Sequence, residues 1–307
     1  METAGANVDR GPGGFAAAVP TSAVPAGTYD LTASYEFCTR LAQSHYENFT
    51  VASWLMPRAM RQHMYAVYAY ARMADDFADE HRDLAMLDEW ERELDLAYAG
   101  TPRHPVFIAL ADTVRRFDIP RQPFADLLMA FRSDIDFKGF DTLDDLLGYS
   151  RCSANPVGRI VLYLFGYRDG ERQRLSDLVC SGLQLANFWQ DVAIDLDKGR
   201  VYLPRCDMAR FGVTAADLAA HTSSGGFIDL MRHEIEVARA MLLEGGELHR
   251  MVDRRLRRDI VMFAGGGLAI LRAIERVGCD VFRMRPKLGK FDYLKLGWSA
   301  VRGRLEA

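Results

Sequence analysis

Two segments far apart in the chain each carry a pair of aspartates four residues apart. The segments are Asp75-Asp76-Phe77-Ala78-Asp79 and Asp191-Val192-Ala193-Ile194-Asp195, and both lie where apolar residues recur with a helical period. Like charges at this spacing destabilise a helix by about 0.2–0.5 kcal/mol per pair. A hard cation between the carboxylates would remove that repulsion, and Mg²⁺ typically takes one or two carboxylates together with water and phosphate oxygens.

A helical wheel of about 100° per residue extends both aspartate pairs into polar stripes. The first stripe comprises Tyr68, Arg72, Asp75, Asp76 and Asp79, and the second comprises Gln184, Asn187, Asp191 and Asp195. The rest of each helix is largely apolar or small. Ordinary acidic helix faces or capping residues would explain either pair alone. Two matching stripes instead predict facing helices that hold Mg²⁺ around a diphosphate.

The helical period continues from Leu31 onward, and alternating strand patterns are few. With 307 residues and 49% hydrophobic content, the chain is long enough for one large core. Glycine and proline clusters divide it into about eight to ten helices. We expect an all-α, single-domain bundle over residues 29–286, after a flexible tail of residues 1–28 that is rich in glycine, alanine and proline.

Composition and charge exclude several classes of protein. The net charge of −4 and the lack of a basic face argue against nucleic-acid binding. The longest apolar run, Ile260 to Leu271, is well short of the roughly 20 residues that span a bilayer. Five scattered cysteines without a Cys-x-x-Cys pair indicate reduced, buried thiols of a cytoplasmic protein. No histidine follows a glutamate by three residues, which argues against a di-iron bundle.

Between the two aspartate segments, small residues surround a proline in the stretch from Tyr149 to Arg159. This composition predicts a kink where backbone comes close to a ligand or to another helix. A kink that serves packing alone is the simpler alternative. Just before it, Asp141 or Thr142 is expected to cap a helix leading to Tyr149.

In chain order, these three segments resemble the squalene and phytoene synthase family, from about Leu31 to Arg285. The two aspartate motifs match residue by residue, as Tyr68-x-x-x-Arg72-x-x-Asp75-Asp76-x-x-Asp79 and Gln184-x-x-Asn187-x-x-x-Asp191-x-x-x-Asp195. The resemblance implies an all-α isoprenoid synthase fold with a central apolar cavity. It also implies that Mg²⁺ is bound by five aspartates, namely Asp75, Asp76, Asp79, Asp191 and Asp195.

Within the family, several stretches resemble a bacterial branch that acts on presqualene diphosphate, releasing diphosphate and adding water to give hydroxysqualene. They are His45 to Ser53, Ser153 to Arg159, Asn187 to Val192 and Gly199 to Pro204. Members that join two substrates such as farnesyl diphosphate usually have serines at positions 46 and 48 and arginine at position 190. Here these residues are Tyr46, Asn48 and Gln190, which favours a single bound diphosphate.

The resemblance and the polar stripes together nominate the functional residues. Substrate or diphosphate binding is expected of His45, Asn48, Arg72, Gln184, Asn187, Arg200 and Tyr202. Catalytic roles are expected of Tyr68, Arg72, Tyr149, Asn155 and Asn187, with Tyr149 and Asn155 placing the water. The cavity is expected to be lined by residues such as Phe49, Leu128, Phe131, Val157, Leu183 and Phe188.

The C-terminal segment, residues 287–307, combines five basic residues with leucines and aromatic residues. A basic amphipathic helix of this kind binds anionic membrane surfaces, so we expect peripheral contact with the inner face of the membrane. A docked terminal helix or a frayed tail is the simpler alternative.

Two other functions remain open at this stage. One is a head-to-head synthase of squalene, dehydrosqualene or phytoene, which would consume farnesyl diphosphate or a similar substrate. The other is a non-catalytic helical assembly factor of the same fold, against which the intact aspartates of both motifs argue.

Overall fold

The computed structural model describes residues 29–44 and 58–305, and these residues form helices with no strand among them. The all-α prediction is therefore confirmed. The helices are α1 (Leu31–Ser44), α2 (Arg58–Asp76), α3 (Leu84–Ala99), α4 (Pro105–Phe117), α5 (Gln122–Ile135), α6 (Leu143–Ser153), α7 (Asn155–Leu164), α8 (Gly170–Asp197), α9 (Arg205–Arg210), α10 (Ala215–Ala219), α11 (Gly225–Gly246), α12 (Arg254–Arg276) and α13 (Lys290–Arg302).

Local sequence chemistry sets most of the helix boundaries. Thr142 caps α6, and its hydroxyl accepts a hydrogen bond from the backbone N–H of Asp145 while the Asp145 carboxylate accepts one from the Thr142 N–H. His104 caps α4, which has Pro105 at its first position. Gly100 ends α3 with φ of 84°, a left-handed conformation that favours glycine. The stretch from Gly100 to Pro105 is thus one of the glycine and proline clusters that separate helices, as the sequence predicts.

Two large hydrophobic cores and a smaller third one, which includes Leu162, Leu175 and Leu256, fill the described part of the bundle. In the N-terminal half, Tyr70 and Phe107 lie among the fully buried side chains contributed by α1 to α5. In the C-terminal half, Trp189 and Phe227 belong to a core built by α8, α11 and α12. Helix α7 packs against both α5 and α8 and joins the halves, in agreement with the single domain that we expected.

Helix α8 is the centre of the C-terminal half and packs against α7, α11 and α12. Glycine permits its close approach to α11. A Cβ atom added to Gly245 would lie 2.7 Å from the backbone nitrogen of Val179 and 2.8 Å from the carbonyl oxygen of Leu175. This contact fixes the helix that carries the second aspartate pair.

The structure refines the sequence-based picture at two places. The first aspartate motif does not lie on a uniform α-helix, because α2 ends at Asp76 and continues as a π-helical turn, Phe77–His81, which carries Asp79. The described residues also form more helices than expected, because the short α9 and α10 and the break at Ala154 add elements that apolar periodicity does not resolve. The predicted tail of residues 1–28 lies outside the described residues.

Two further expectations concern the membrane and the cysteines. Across residues 29–44 and 58–305, none of the helices combines the length and apolar character that a bilayer crossing requires. All five cysteines are free thiols, as predicted. The expectation that they are buried is correct for Cys38 and Cys279 but wrong for Cys206, which is exposed, and Cys152 and Cys180 are only half-buried.

Candidate active site

The first aspartate cluster lies at the C-terminal end of α2, where an arginine of the same helix neutralises part of its charge. The Arg72 guanidinium lies 3.3 Å from the Asp75 carboxylate and 2.5 Å from that of Asp76. Burial, reinforced by the negative charge of Asp79, nevertheless raises the pKa of Asp75 to about 6. A carboxylate held in this way is poised to accept a further cation.

The second cluster lies on α8 and is contacted by a residue from the segment that follows α12. The Arg285 guanidinium donates to both carboxylate oxygens of Asp191, at 2.6 and 3.0 Å. Next to it, the Gln190 side chain donates to the carbonyl oxygen of Pro286 at 2.6 Å. Burial and the charge of Asp191 raise the pKa of Asp195 to about 6.

A third arginine, Arg200, connects the two clusters. Its Nη2 atom lies 2.7 Å from Asp79 Oδ1, and its positive charge also acts to lower the pKa of both Asp75 and Asp195. Arg200 therefore lies close to both aspartate clusters, and the expectation that the clusters hold Mg²⁺ around a diphosphate stays a prediction.

The donor set of this space suits a hard divalent cation. Among the described side chains, no three acidic, histidine or cysteine residues lie close enough to hold a metal on protein ligands alone. Mg²⁺ does not require such a cage, because it keeps several waters and binds through one or two carboxylates and substrate phosphates. Asp75 and Asp79 of the first cluster, and Asp191 and Asp195 of the second, are carboxylates of the type that such partial coordination needs.

Tyr149, which the sequence nominated for water placement, lies on α6 beside the same space. Its hydroxyl is 2.9 and 3.1 Å from the two carboxylate oxygens of Asp134 on α5. Burial is the main cause of the raised pKa of Asp134, which reaches about 6, and the charges of Asp79 and Asp75 add to it. Burial likewise raises the pKa of Tyr149 far above its usual range, so the phenol stays protonated.

An aromatic wall adjoins Tyr149. The rings of Phe188 and Tyr202 stack in parallel with centroids 3.7 Å apart, and the Phe140 ring lies 5.5 Å from that of Tyr149. Tyr202 is buried in this wall rather than presented to a solvent-filled space. Burial raises the pKa of the Tyr202 hydroxyl, and the charge of the nearby Arg200 acts in the opposite direction.

The middle segment has the predicted kink, because α6 ends at Ser153 and α7 begins at Asn155. Asn155 is only 3% exposed and accepts a hydrogen bond from Ser181 on α8 at 2.9 Å. Gln184 and Ser153 bond each other at 2.9 to 3.0 Å. The described contacts of Asn155 and Gln184 therefore tie α6 and α7 to α8, and their expected roles toward substrate stay predictions.

The remaining nominated residues differ in exposure and in what the structure describes. Asn187 is exposed on α8, and Tyr68 is half-buried on α2 close to Arg72 and Asp75. His45 and Asn48 lie outside the described residues, as does the expected cavity-lining Phe49. The central apolar cavity therefore stays a prediction.

Two residues of this region were missed by sequence reasoning. Arg285 contacts a partner 94 positions away, and Asp134 belongs to an acidic stretch without a single-face pattern. The only sequence signal for Arg285 was its position just beyond the last long helix of the family resemblance. For Asp134 the signal was absent, because its partner Tyr149 lies on a different helix.

The comparison with protein families decides the assignment of the chain. The model of the squalene/phytoene synthase family matches residues 42–292. The chain belongs to this family. Its members are enzymes of isoprenoid biosynthesis, and the matched range includes both aspartate clusters.

Curated relatives in the squalene/phytoene synthase family have more than one activity. The hydroxysqualene synthase of Sinorhizobium fredii is 36% identical over 263 residues, covering 83% of this chain and 88% of that protein. The phytoene synthase of Arthrospira platensis is 32% identical over 273 residues, covering 82% and 87% of the two chains.

Solved structures of the family share the fold. The squalene synthase HpnC from Alicyclobacillus acidocaldarius is 44% identical, with a TM-score of 0.79 over 81% of this chain and 95% of that one. A dehydrosqualene synthase in complex with ligand is 27% identical, with a TM-score of 0.81 over 89% and 96% of the two chains. The all-α isoprenoid synthase fold is thus confirmed.

Proposed function

We propose that the protein ionises presqualene diphosphate and captures the resulting carbocation with water, giving hydroxysqualene and diphosphate. The observation that carries this proposal is the Tyr149–Asp134 pair, a hydroxyl bonded to a partly buried carboxylate whose pKa is raised in part by the nearby charges of Asp79 and Asp75. Such a pair suits the placement and deprotonation of one water. The 36% identity to a hydroxysqualene synthase supports the same choice of substrate.

Ionisation requires stabilisation of the departing diphosphate. Mg²⁺, held by Asp75, Asp79, Asp191 and Asp195 with Asp76 beside them, would supply Lewis-acid stabilisation of the leaving group when bound. The chain's own contribution is a set of fixed cations. Arg72, Arg200 and Arg285 form ion pairs with these carboxylates, so three guanidinium groups would be close to an incoming diphosphate and could donate to its oxygens.

Formation of the alcohol requires that one bond breaks, one bond forms and one proton leaves. The carbon–oxygen bond to diphosphate breaks and the leaving group takes the electron pair. The oxygen of one water then forms a new bond to the carbocation, and the proton that this water must lose passes to Asp134, directly or through the Tyr149 hydroxyl. Burial raises the pKa of Asp134 to about 6, which makes its carboxylate a stronger base than an exposed aspartate.

The aromatic wall has a role in the same step. Phe188, Tyr202 and Phe140 present ring faces and edges near Tyr149, and ring faces attract positive charge. They would stabilise the carbocation and restrict the entry of other waters. The described contacts of Asn155 and Gln184 support this geometry by fixing α6 and α7 against α8.

The alternative within the family is a head-to-head condensation of two prenyl diphosphates. It is favoured by the 32% identity to a phytoene synthase and by the likeness to a dehydrosqualene synthase. It is disfavoured by Gln190, whose amide is engaged with Pro286 rather than with the shared space. Arg285, however, brings a cation to Asp191 that the residue at position 190 does not provide.

Parallel incubations distinguish the two reactions. The purified protein is supplied with Mg²⁺ and either presqualene diphosphate or farnesyl diphosphate, without NADPH. We expect presqualene diphosphate to be consumed and farnesyl diphosphate to be left intact. Rapid consumption of farnesyl diphosphate alone would assign the protein to the condensing synthases.

The five free cysteines support our further proposal that this reaction takes place in the reducing cytoplasm.

A further inference from the structure

One face of the C-terminal helix α13 packs against the protein, and the other face is exposed. Ser299 and Ala300 are buried and Leu296 is half-buried where α13 packs against α12. Asp292 pairs with Arg276 of α12 at 3.0 Å. One side of the helix is therefore docked, so the docked helix expected as the simpler alternative is correct for that side.

The opposite side of α13 is apolar and open. Its residues are Phe291, Leu294, Trp298 and Val301, which follow the helical spacing i, i+3, i+7, i+10 and are between 57% and 81% exposed. On a wheel of about 100° per residue they span a single stripe. A contiguous exposed stripe of large apolar residues marks a surface that contacts another molecule or a membrane.

Basic residues border this apolar stripe. Lys295 and Arg302 lie along one edge of it, seven residues apart, and both are exposed. The Arg302 guanidinium lies over the Trp298 ring, 4.6 Å from its centroid. Lys287 and Arg304, at either end of the helix, are exposed as well. The only acidic residue within α13 is Asp292, and Arg276 neutralises it.

We propose that α13 is a membrane-docking element, whose apolar stripe enters the headgroup region of a bilayer rich in anionic phospholipid. Three features favour a bilayer over a protein partner. Tryptophan and tyrosine, here Trp298 and Tyr293, prefer the membrane interface. Lysine and arginine at the border extend their charges to lipid phosphates while their stems cover apolar surface. The helix has only 13 residues, fewer than the roughly 20 that span a bilayer, so it would lie on the membrane rather than cross it.

Membrane docking by α13 does not depend on the reaction proposed above. The family model ends at residue 292, so most of the stripe lies beyond the region that defines the family. Membrane docking would keep the protein where its lipid substrate is dissolved, but the docking itself needs neither substrate nor metal.

Vesicle co-sedimentation of the full-length protein tests the proposal. Vesicles of phosphatidylcholine with an equal share of phosphatidylglycerol are compared with pure phosphatidylcholine, in the absence of substrate. We expect binding to the anionic vesicles, a loss of at least about tenfold for the double variant Leu294→Glu/Trp298→Glu, and a loss of about fivefold per charge for Lys295→Gln/Arg302→Gln. Leu84→Glu, which changes an exposed leucine of α3, should bind like the unaltered protein.

Other outcomes would overturn the proposal. They are equal binding by all variants, binding that does not depend on anionic lipid, or no binding at all. A dimer in light scattering that Leu294→Glu/Trp298→Glu converts to a monomer would show that a second copy of the chain covers the stripe instead. Because no substrate is present, these outcomes are independent of the proposed reaction.

Discussion

The hydroxyl of Tyr149 lies within hydrogen-bond distance of both carboxylate oxygens of Asp134, at 2.9 and 3.1 Å. The two residues come from neighbouring helices, α5 and α6, and both are largely shielded from solvent. Donation to the carboxylate fixes the phenol and leaves its oxygen lone pairs available to a water. The packing of α5 against α6 therefore positions the two groups to which the captured water would lose its proton in the proposed reaction.

Removal of either member of this pair should slow the reaction and change its product. For Tyr149→Phe and Asp134→Asn we expect turnover of presqualene diphosphate to fall by about 10²-fold or more, the usual contribution of a positioned base. The alcohol should also decrease relative to products formed by proton loss from the cation, because the water is no longer held. Gas chromatography with mass spectrometry measures both quantities.

A matched control for this pair is Tyr163→Phe, because Tyr163 on α7 also has a half-buried hydroxyl but contacts Gln173. Its turnover and product ratio should stay unchanged. An unaltered product ratio in Tyr149→Phe would remove the proposed role in water placement.

Sequence alone could predict the features of this fold that depend on local chemistry. The end of α3 at Gly100 and the cap of α6 at Thr142 follow from residues that act within a few positions of themselves. The two aspartate stripes were found because helical periodicity relates neighbours along one helix.

Contacts between distant segments could not be predicted in the same way. Arg285 and Asp191 are separated by 94 positions, and the side chains that surround them give no periodic signal. The π-helical turn at Phe77–His81 changes the helical period within the first motif, and a fixed wheel of about 100° per residue does not show this change. The exposed side of α13 was predicted from its amphipathic sequence, but which side docks on α12 required the structure.

The two arginines that contact the aspartates should control diphosphate affinity. For Arg200→Ala and Arg285→Ala we expect KM for presqualene diphosphate to rise by about 10- to 100-fold, the usual range for hydrogen bonds to charged groups. Inhibition by inorganic pyrophosphate should weaken in parallel. Steady-state kinetics with and without pyrophosphate measure both effects.

Arg239→Ala is the control for these arginines, since Arg239 pairs with Glu236 and Glu275 between α11 and α12. It should leave KM unchanged. Equal KM values in Arg285→Ala and the unaltered protein would mean that Arg285 has only a structural role at Asp191.

The buried aspartates should make the metal-free protein less stable at neutral pH. The pKa of Asp195 is about 6 in the folded state, above its usual value, chiefly because burial disfavours the charged form. Protonation of Asp195 favours the folded state. This contribution to stability is fully present below the pKa that Asp195 has in the unfolded chain, and it is lost as the pH rises through about 6. Asp195→Asn should therefore raise the melting temperature at pH 7.5, and this gain should shrink between pH 6 and pH 4.

Asp217, whose pKa is shifted in the opposite direction, provides the comparison for Asp195. The Thr214 hydroxyl and backbone N–H hold the pKa of Asp217 below its usual value. Asp217→Asn should consequently lower the melting temperature at pH 7.5. Differential scanning fluorimetry across this pH range, with chelator present, separates the two cases. A lower melting temperature for Asp195→Asn would contradict the assigned burial effect.

The close approach of α8 and α11 should be sensitive to a single methyl group. Gly245→Ala places a carbon against the backbone of Val179 and Leu175, so we expect the free energy of unfolding to fall by about 1–3 kcal/mol. Gly266→Ala on α12 meets no atom within 4 Å and should raise it by up to about 1 kcal/mol. Urea denaturation followed by circular dichroism measures the difference. Equal stabilities would mean that α8 and α11 separate without cost.

Isotope tracing tests the proposed hydration of presqualene diphosphate most directly. The purified protein is incubated with Mg²⁺ and presqualene diphosphate in water enriched in ¹⁸O, and both products are analysed by mass spectrometry. We predict one ¹⁸O atom in the hydroxysqualene and none in the released diphosphate, because the carbon–oxygen bond breaks before water adds. An unlabelled hydrocarbon product, or ¹⁸O in the phosphate, would contradict it.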